Sequence, residues 1–314
     1  MTRIIASRFA QAVPVMFLVA VLTFFLMHLL PGDPAVIIAG DQASPAAIER
    51  VRRQLGLDRP VLEQLVLWIV HLLQGDFGTS LILNQSVVSA VAERLPVTLS
   101  LALVSFVITI PVGIALGVIA ACFRDTWFDA GVMAVALVGV SLPNFWVAIL
   151  SVILFSVTLG WLPSAGYVPI DRGLWPWLAA LIQPAVVLAL FQIGFLARMT
   201  RSEMLEVLDQ DYIRTARAKG VTEWQTVAKH AFRNTLVSVI TVSGYILSLL
   251  IGGSVIVEQV FALPGIGRLL VQAIMARDYP LVQGTMLLLG FAFVFINVMI
   301  DLIYTAVDPR VRYD

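Results

Sequence analysis

The chain has 314 residues, of which 60% are hydrophobic and 13% are charged, and its mean hydropathy is +0.94. A soluble domain has about half apolar and about a quarter charged residues, so this composition excludes a globular protein that meets water on all sides and indicates a membrane protein. The formal net charge is +0 at pH 7, so the composition gives no overall electrostatic signal for nucleic-acid binding.

Apolar stretches long enough to cross a bilayer recur along the chain. A span needs about 20 residues, because the hydrocarbon core is ~30 Å thick and a helix rises about 1.5 Å per residue. Six stretches meet this length: residues 9–30, 97–121, 130–160, 178–197, 236–257 and 281–307. The sequence therefore predicts an all-α polytopic membrane protein with about six transmembrane helices.

Two of these stretches have features of their own. The first follows Arg3 and Arg8, is longer than the apolar region of a secretory signal and lacks a small-residue cleavage site, so we expect a retained first helix. The third is longer than a straight span needs and contains Pro143, followed by Asn144. Proline removes a backbone hydrogen bond inside a helix, so we predict a kink or a break at this point.

The distribution of basic residues predicts the orientation, because short cytoplasmic loops are enriched in lysine and arginine. Twelve basic residues fall on one side of the predicted spans: Arg3, Arg8, Arg124, Arg198, Arg201, Arg214, Arg217, Lys219, Lys229, Arg233, Arg310 and Arg312. The short loops on the other side hold Arg172, Arg268 and Arg277. We therefore expect a multi-pass membrane protein with both termini in the cytoplasm.

This topology predicts a division of the chain into an N-terminal transmembrane helix, a periplasmic segment with short helices, a core of five helices and a cytoplasmic tail: residues 1–30, 31–96, 97–307 and 308–314. In the periplasmic segment, Ser44 and Pro45 before residues 49–57 indicate a capped amphipathic helix. Residues 63–73 indicate a second helix, and residues 75–80 form a glycine-containing turn cluster.

Signatures of catalysis and of metal binding are absent from the sequence. No G-x-x-x-x-G-K-[ST] pattern surrounds either lysine, so the chain has no phosphate-binding loop for ATP. The three histidines are far apart and form no H-E-x-x-H pattern, which disfavours a metal site. Cys122 is the only cysteine, which excludes an intramolecular disulfide, and we expect it to be a buried, small apolar residue. The sequence therefore predicts a chain that binds no cofactor and is not an enzyme on its own.

The long cytoplasmic loop, at about residues 203–234, carries the most informative pattern. Residues 214–219 are rich in helix formers, Gly220 suits the left-handed position that ends a helix, and Thr222 with Gln225 forms a capping box for a second helix. These features predict two short helices hinged at the glycine, with small side chains at the tip and positive charges beside them. Such a shape suits docking to a partner; the alternative is a basic amphipathic hairpin that lies on anionic lipid.

The run R-T-A-R-A-K-G at residues 214–220 resembles the EAA loop of ABC-importer permeases, in the form found in the dipeptide, oligopeptide and nickel permease family. Gly220 matches the hinge glycine of that loop, and Arg214, Thr215 and Ala216 fall on the E-A-A positions. Arg214 and Thr215 depart from the general pattern, and Arg233 stands where many importers have proline; both departures resemble that family's own variant. Other stretches resemble the same family in order along essentially the whole chain: residues 30–34, 54–60, 75–80, 258–267, 277–280 and 308–310.

The resemblance implies an ABC importer type I transmembrane fold and the role of a pore-forming permease subunit. It also implies a second homologous permease, two cytoplasmic subunits that bind ATP and Mg, and a periplasmic substrate-binding protein. The resemblance places the ATPase-coupling contact on one run of residues: Arg214, Thr215, Ala216, Arg217, Ala218, Lys219 and Gly220. Di- or oligopeptides are the implied substrates, with nickel, glutathione and opines as alternatives within the family.

Three polar residues in or beside the predicted spans are open to two interpretations. Asp301 either lines a pore or gate, or anchors helix packing through Arg198 or Arg201, because an unpaired carboxylate in a span costs about 3 kcal/mol or more. Glu258 either lines the mouth of the path or caps the turn that follows it, and Asn144 either lines the path or bonds a neighbouring helix.

Two other classes of protein stay open. A secondary transporter would need paired ionisable groups inside the membrane and usually has inverted repeats. A membrane scaffold would need no translocation path at all.

Overall fold

A computed structural model describes residues 2–29, 33–39, 43–54 and 56–307, and within these ranges the chain is built from α-helices. They are α1 (Thr2–Leu29), α2 (Pro34–Ala39), α3 (Pro45–Gln54), α4 (Val61–Leu73), α5 (Val87–Cys122), α6 (Trp127–Ser141), α7 (Asn144–Ser151), α8 (Leu174–Leu208), α9 (Asp211–Ala218), α10 (Glu223–Gln225), α11 (Phe232–Val260), α12 (Ile266–Met275) and α13 (Tyr279–Val307). Two π-helical stretches, Val152–Thr158 and Thr226–Ala231, and a 3-10 turn, Ile170–Arg172, complete the helical elements. The all-α class predicted from the sequence is confirmed.

Four helical stretches of the described chain are long and apolar enough to cross a membrane: Val87–Cys122, Leu174–Leu208, Ser238–Val260 and Tyr279–Ile300. A fifth span is formed if α6 and the helix Asn144–Thr158 are taken together. The first predicted span coincides with α1, a helix of 28 residues whose stretch Val13–Leu26 is also apolar. The polytopic architecture predicted from the sequence is therefore confirmed.

The predicted break at Pro143 is present and is sharp. The axes of α6 and of the helix Asn144–Thr158 differ by 100°. Leu142 and Pro143 adopt extended backbone conformations, with ψ of 132° and 130°. The lost backbone donor of proline ends one helix, and a new helix starts at the next residue.

The helix α5 begins at Val87, ten residues before the predicted start of the span at residue 97. The first turns of α5, which lie outside the predicted span, contain Glu93 and Arg94. These charged residues interrupt the apolar sequence, but the helix continues through them. Because only the stretch within lipid must be apolar, hydropathy alone locates the span but not the whole helix. The predicted boundary at residue 96 thus falls inside α5.

The helices pack into two compact units, of which the first comprises Met1–Pro96 and Gly265–Phe295. Its buried core is apolar: Val87, Ala90, Val91, Ile266, Leu269, Ala273, Leu281 and Val282. The helices α3 and α4 confirm both short helices predicted in this part of the chain, and the Ser44 hydroxyl accepts the expected cap bond from the Ala47 N–H at 3.3 Å. On α1, His28 Nε2 lies 3.2 Å from Gln64 Oε1 of α4.

A buried carboxylate joins two of the family-like stretches inside this first unit. Asp278 is 1% exposed and accepts hydrogen bonds from Ser80 Oγ at 2.6 Å, from the Ile82 N–H at 3.2 Å and from the Leu281 N–H at 3.1 Å. A Cβ atom on Gly78 would lie 3.1 Å from the Pro280 side chain. The turn at residues 75–80 and the stretch 277–280 therefore form one structural feature, although they are 200 residues apart in sequence.

The second unit comprises Val97–Pro264 and Ile296–Asp314, and α8 is its central helix, packed against α6 and α11. The helices approach closely where glycine leaves room. A Cβ atom on Gly117 of α5 would lie 2.6 Å from the Ala197 carbonyl oxygen, and one on Gly194 of α8 would lie 2.4 Å from the Ala136 carbonyl oxygen. Gln183 of α8 adds a polar link, because its amide bonds the hydroxyls of Ser151 and Ser156. These contacts hold the middle of α8 in the second unit, and the last turn of α8 already belongs to the predicted loop at residues 203–234.

Candidate coupling site

The candidate site is the pair of short helices that follows α8. The helix α9 ends at Ala218 with Lys219 as its C-cap, and Gly220 then has φ of +79°, the left-handed conformation predicted for it. Two hydrogen bonds close this turn: the Gly220 N–H donates to the Arg217 carbonyl at 2.9 Å, and the Val221 N–H donates to the Ala216 carbonyl at 3.2 Å. This pattern is a Schellman motif, which satisfies two of the last carbonyls of α9.

The second helix starts as the sequence predicts. The Thr222 hydroxyl accepts a hydrogen bond from the Gln225 N–H at 3.4 Å, so Thr222 is the N-cap of α10. An ion pair crosses the hinge, because Arg217 of α9 donates from Nε and Nη2 to the two carboxylate oxygens of Glu223, at 2.8 and 3.2 Å. The predicted two-helix hairpin is therefore present, and a two-pronged ion pair holds its halves together.

The underside of the hairpin anchors it to the ends of α5 and α8. Ile213 of α9 is fully buried, and it packs in an apolar cluster with Ala121, Met204 and Ala231. The amide of Asn234 also donates to the Tyr212 hydroxyl at 2.7 Å. One face of α9 is thus packed against other helices of its own unit.

The opposite face of the hairpin is open. Of the residues predicted for ATPase coupling, Ala216 is half-buried and the other six are exposed: Arg214, Thr215, Arg217, Ala218, Lys219 and Gly220. Trp224 of α10 is 78% exposed beside them. An exposed indole next to small side chains and basic groups is the composition of a surface that docks a partner. Their role in coupling stays a prediction.

Glu258 lies at the other end of α11 and is fully buried. Its Oε1 accepts hydrogen bonds from Thr98 Oγ1 at 2.8 Å and from Ser254 Oγ at 2.9 Å, and its carbonyl accepts from the Leu263 N–H at 2.9 Å. The structure thus places the Glu258 carboxylate inside its own unit, where it joins α11 to α5. The hydrogen bond in the turn after α11 is made by the main-chain carbonyl, so both interpretations of the side chain, turn cap and mouth of the path, stay predictions.

The other two predicted path residues are placed differently. Asn144 is half-buried and opens α7 immediately after the break. Asp301 is part of α13, and its side chain is not among those that the structure describes. Their roles as pore or gate residues stay predictions.

The sequence matches known transport proteins over its whole length. Residues 113–313 match the family described as the binding-protein-dependent transport system inner membrane component, and residues 1–102 match the N-terminal family of the same membrane component. The chain belongs to this family. It is a permease of the ABC importer type, so a binding protein and an ATPase are implied as partners of this non-catalytic membrane component.

Individual relatives of this permease give finer comparisons. A protein of Brucella abortus (strain 2308) that is named as a peptide transport system permease is 68% identical over 314 residues, which is 100% of both chains. The glutathione transport system permease protein GsiC of Salmonella choleraesuis (strain SC-B67) is 42% identical over 313 residues, again 100% of both chains.

A solved structure confirms the fold expected from the family resemblance. A chain of the MetNI methionine ABC transporter, in inward facing conformations, matches with a TM-score of 0.59 and 22% identity over 70% of this chain and 97% of that chain. At that identity the likeness shows the fold alone, which is the transmembrane fold of an ABC importer.

Two ion pairs beside the permease's hairpin were missed by the sequence analysis. Asp129 of α6 is 4% exposed and binds Arg201 of α8 through both carboxylate oxygens, each at 2.6 Å. The predicted anchoring of Asp301 by Arg198 or Arg201 stays a prediction, because the Asp301 side chain lies outside the described residues. Next to this pair, Arg124 Nη1 donates to both oxygens of Asp209, at 3.1 and 3.0 Å. The hydrogen bonds to Asp209, and then to Asp125, raise the pKa of the Arg124 guanidinium.

A cavity of about 600 Å³ lies beneath the hairpin, between the ends of α5 and α8. Most of the residues that line it are apolar, and Arg217, Glu223 and Trp224 are also part of its lining. Cys122 lies on its wall and is exposed, so the expectation that Cys122 is buried is wrong. The reason is its position at the last residue of α5, where the helix end meets this open space.

Proposed function

We propose that this chain is the pore-forming permease subunit of an ATP-driven importer that passes di- or oligopeptides across the bacterial inner membrane. The observation that carries the substrate class is the 68% identity, without loss of length, to the Brucella abortus protein named as a peptide transport system permease. The family and the fold supply the rest of the role, because both are those of an ABC importer's membrane component.

In this proposal, α9 and α10 form one of two coupling sites, one on each permease subunit, that the two cytoplasmic ATP-binding subunits grip. The hairpin supports this role because it is anchored on one face by Ile213 and open on the other at Arg214, Thr215 and Ala218. A rigid, anchored projection moves with the helix that carries it, so a force on the hairpin reaches α8 directly. ATP and Mg are held by those partner subunits, because the chain itself has no phosphate-binding loop.

The remaining parts of the assembly follow from the same family. A second homologous permease subunit completes the path, and a periplasmic binding protein delivers the substrate. This arrangement requires the hairpin and both termini to face the cytoplasm and residues 31–96 to face outward, as the distribution of arginine in the short loops predicts. The hinge glycine and the open face then lie on the side where ATP is available.

The proposal is tested by uptake in a strain that lacks this gene and in the same strain with the gene restored. We expect loss of uptake of a radiolabelled dipeptide and tetrapeptide in the deletion strain and full recovery on restoration. Depletion of cellular ATP with the proton gradient kept intact should also abolish this uptake. Unchanged peptide uptake in the deletion strain, under growth conditions that express the gene, would refute the peptide assignment.

Glutathione is the second candidate, and the 42% identity to GsiC over 313 residues favours it. Glutathione is itself a tripeptide with an unusual γ-linkage, so the same strains separate the two candidates. Uptake of labelled glutathione that depends on the gene, with dipeptide uptake unaffected, would select glutathione. Labelled nickel serves as the corresponding test for a metal cargo.

A secondary transporter is tested with the purified chain alone. In liposomes without ATPase subunits, such a protein would move substrate on an ion gradient. We expect no such movement, and transport by the isolated chain would refute the ABC importer assignment.

A further inference from the structure

Two ion pairs of opposite polarity join the loop between α5 and α6 to the end of α8, and we call them the loop clamp. Arg124 lies in the loop and Asp129 in the first turn of α6, and they bind the α8 cap residue Asp209 and Arg201 of α8, respectively. A shift of α8 along its axis would pull both pairs apart and leave the buried Asp129 carboxylate without its partner, which is unfavourable. The clamp therefore specifies one register between these elements.

The inner pair of the clamp is the stronger one. The side chains of Asp129 and Arg201 are 6% and 25% exposed, whereas those of Arg124 and Asp209 are 48% and 62% exposed. Exposed pairs contribute little, while removing one partner of a buried pair leaves an uncompensated charge. The inner pair is also two-pronged, from Nε and Nη2, which fixes the orientation of the guanidinium as well as its distance.

Asp129 is itself held rigidly by its own loop. Its Oδ2 accepts a hydrogen bond from the Asp125 N–H at 3.2 Å, and its N–H donates to the Thr126 hydroxyl at 3.4 Å. Thr126 is thus the N-cap of α6, and the Asp129 carboxylate is tied to the residue before that cap. Any displacement of Arg201 is therefore passed to the first turn of α6, because the carboxylate cannot swing freely to follow it.

The clamp lies between the coupling site and the broken span. Arg201 and Asp209 are on the last turns of α8 and its cap, and α9 begins at Asp211. The α6 helix runs from the clamp to the break at Pro143. A chain of contacts thus leads from α9 through the end of α8 and the clamp to α6.

We propose that Asp129 and Arg201 are positioning residues that transmit movement of the hairpin to α6, and so to the broken helix. This inference rests on the proposed function, in which ATPases move the hairpin. A buried ion pair adds little stability compared with an apolar pair of the same size, so stability alone gives no reason for this one. An apolar pair would not supply the rigid, oriented link that the ion pair forms between α6 and α8.

The test separates a positioning role from a merely structural one. In the assembled complex, the double variant Asp129→Leu with Arg201→Met replaces the ion pair by apolar side chains of similar size. We expect normal complex yield and thermal midpoint and continued ATP hydrolysis, but about tenfold less peptide imported per ATP hydrolysed. Wild-type import per ATP in this variant would overturn the proposal, since apolar packing alone would then be enough to transmit movement from α8 to α6.

A second variant keeps the proposal testable if the apolar pair does not assemble. Arg201→Lys retains the charge but loses the two-pronged bond, so complex yield should be unchanged while import per ATP falls severalfold. The matched control is Arg124→Gln in the exposed outer pair, for which we expect less than a twofold change. Equal import per ATP in Arg201→Lys and wild type would overturn the proposal.

Failure of the proposed function would be visible separately. In that case the wild-type complex would itself show no ATP-driven peptide import.

Discussion

Replacing Gly220 by valine tests the hinge of the coupling site most directly. Gly220 has φ of +79°, and a Cβ atom added there would meet nothing within 4 Å. The substitution therefore causes no clash, and its whole effect is the cost of the left-handed backbone. That cost is about 1–2 kcal/mol for an ordinary L residue and lies at the upper end for a β-branched one.

A cost of about 2 kcal/mol lowers the equilibrium constant for forming the native hinge about 30-fold, because about 1.4 kcal/mol corresponds to a factor of ten. The apolar underside of α9 at Ile213 is untouched, so insertion and folding of the spans should be normal. We expect Gly220→Val to reach the membrane at wild-type levels and to lose most of its ATP-coupled peptide import. The assay compares import and ATP hydrolysis by the assembled complex in proteoliposomes.

The matched control is Gly220→Asn, because asparagine adds a side chain but tolerates the left-handed conformation. We expect this variant to keep most of its import. Normal import by Gly220→Val would refute the reasoning, because the left-handed hinge would then be dispensable. Equal losses in both variants would show that the side chain, rather than the backbone, disturbs the docking surface.

Two further predictions concern topology and helix packing. Cysteines at the exposed positions Ser44 and Ser86, in a Cys122→Ala background, should react with an impermeant maleimide added to the periplasmic side, and labelling only from the cytoplasm would invert the orientation. Gly194→Ala should lower the thermal midpoint of the purified protein, at a cost of about 1–3 kcal/mol, because its Cβ would lie 2.4 Å from the Ala136 carbonyl oxygen. Gly131→Ala is the control: its Cβ would meet nothing within 4 Å, so a comparable loss of stability there would contradict the packing argument.

The local features of the coupling site could be predicted from the sequence because short-range rules govern them. The hinge at Gly220 and the cap at Thr222 depend on residues within one turn of each other, and both are confirmed. The break at Pro143 is predictable for the same reason, since proline acts on its own backbone and on its immediate neighbours. The 100° size of that bend was not predictable, because it depends on how the flanking helices pack.

The loop clamp could not be predicted, because its partners are 72 and 85 residues apart. The sequence around Asp129 is also what is expected around a solvent-exposed residue at the start of a helix. Arg201 is likewise not distinguishable by sequence from the other basic residues predicted to face the cytoplasm. The exposure of Cys122 was missed for a related reason. Composition makes burial the usual state of a lone cysteine, but the open space at the end of α5 is a product of tertiary packing.

The bend between α6 and α7 also shows how a helix can break with few unpaired backbone donors. The helix α7 starts after Pro143 with no side-chain cap, but proline has no N–H of its own, and its carbonyl accepts hydrogen bonds from the Trp146 and Val147 N–H groups at 3.0 and 3.2 Å. The break therefore leaves at most the N–H groups of Asn144 and Phe145 to find water or a polar neighbour. A chain that turns by 100° in this way keeps the cost of the turn low in surroundings that offer no hydrogen bonds, because that cost grows with every unpaired donor.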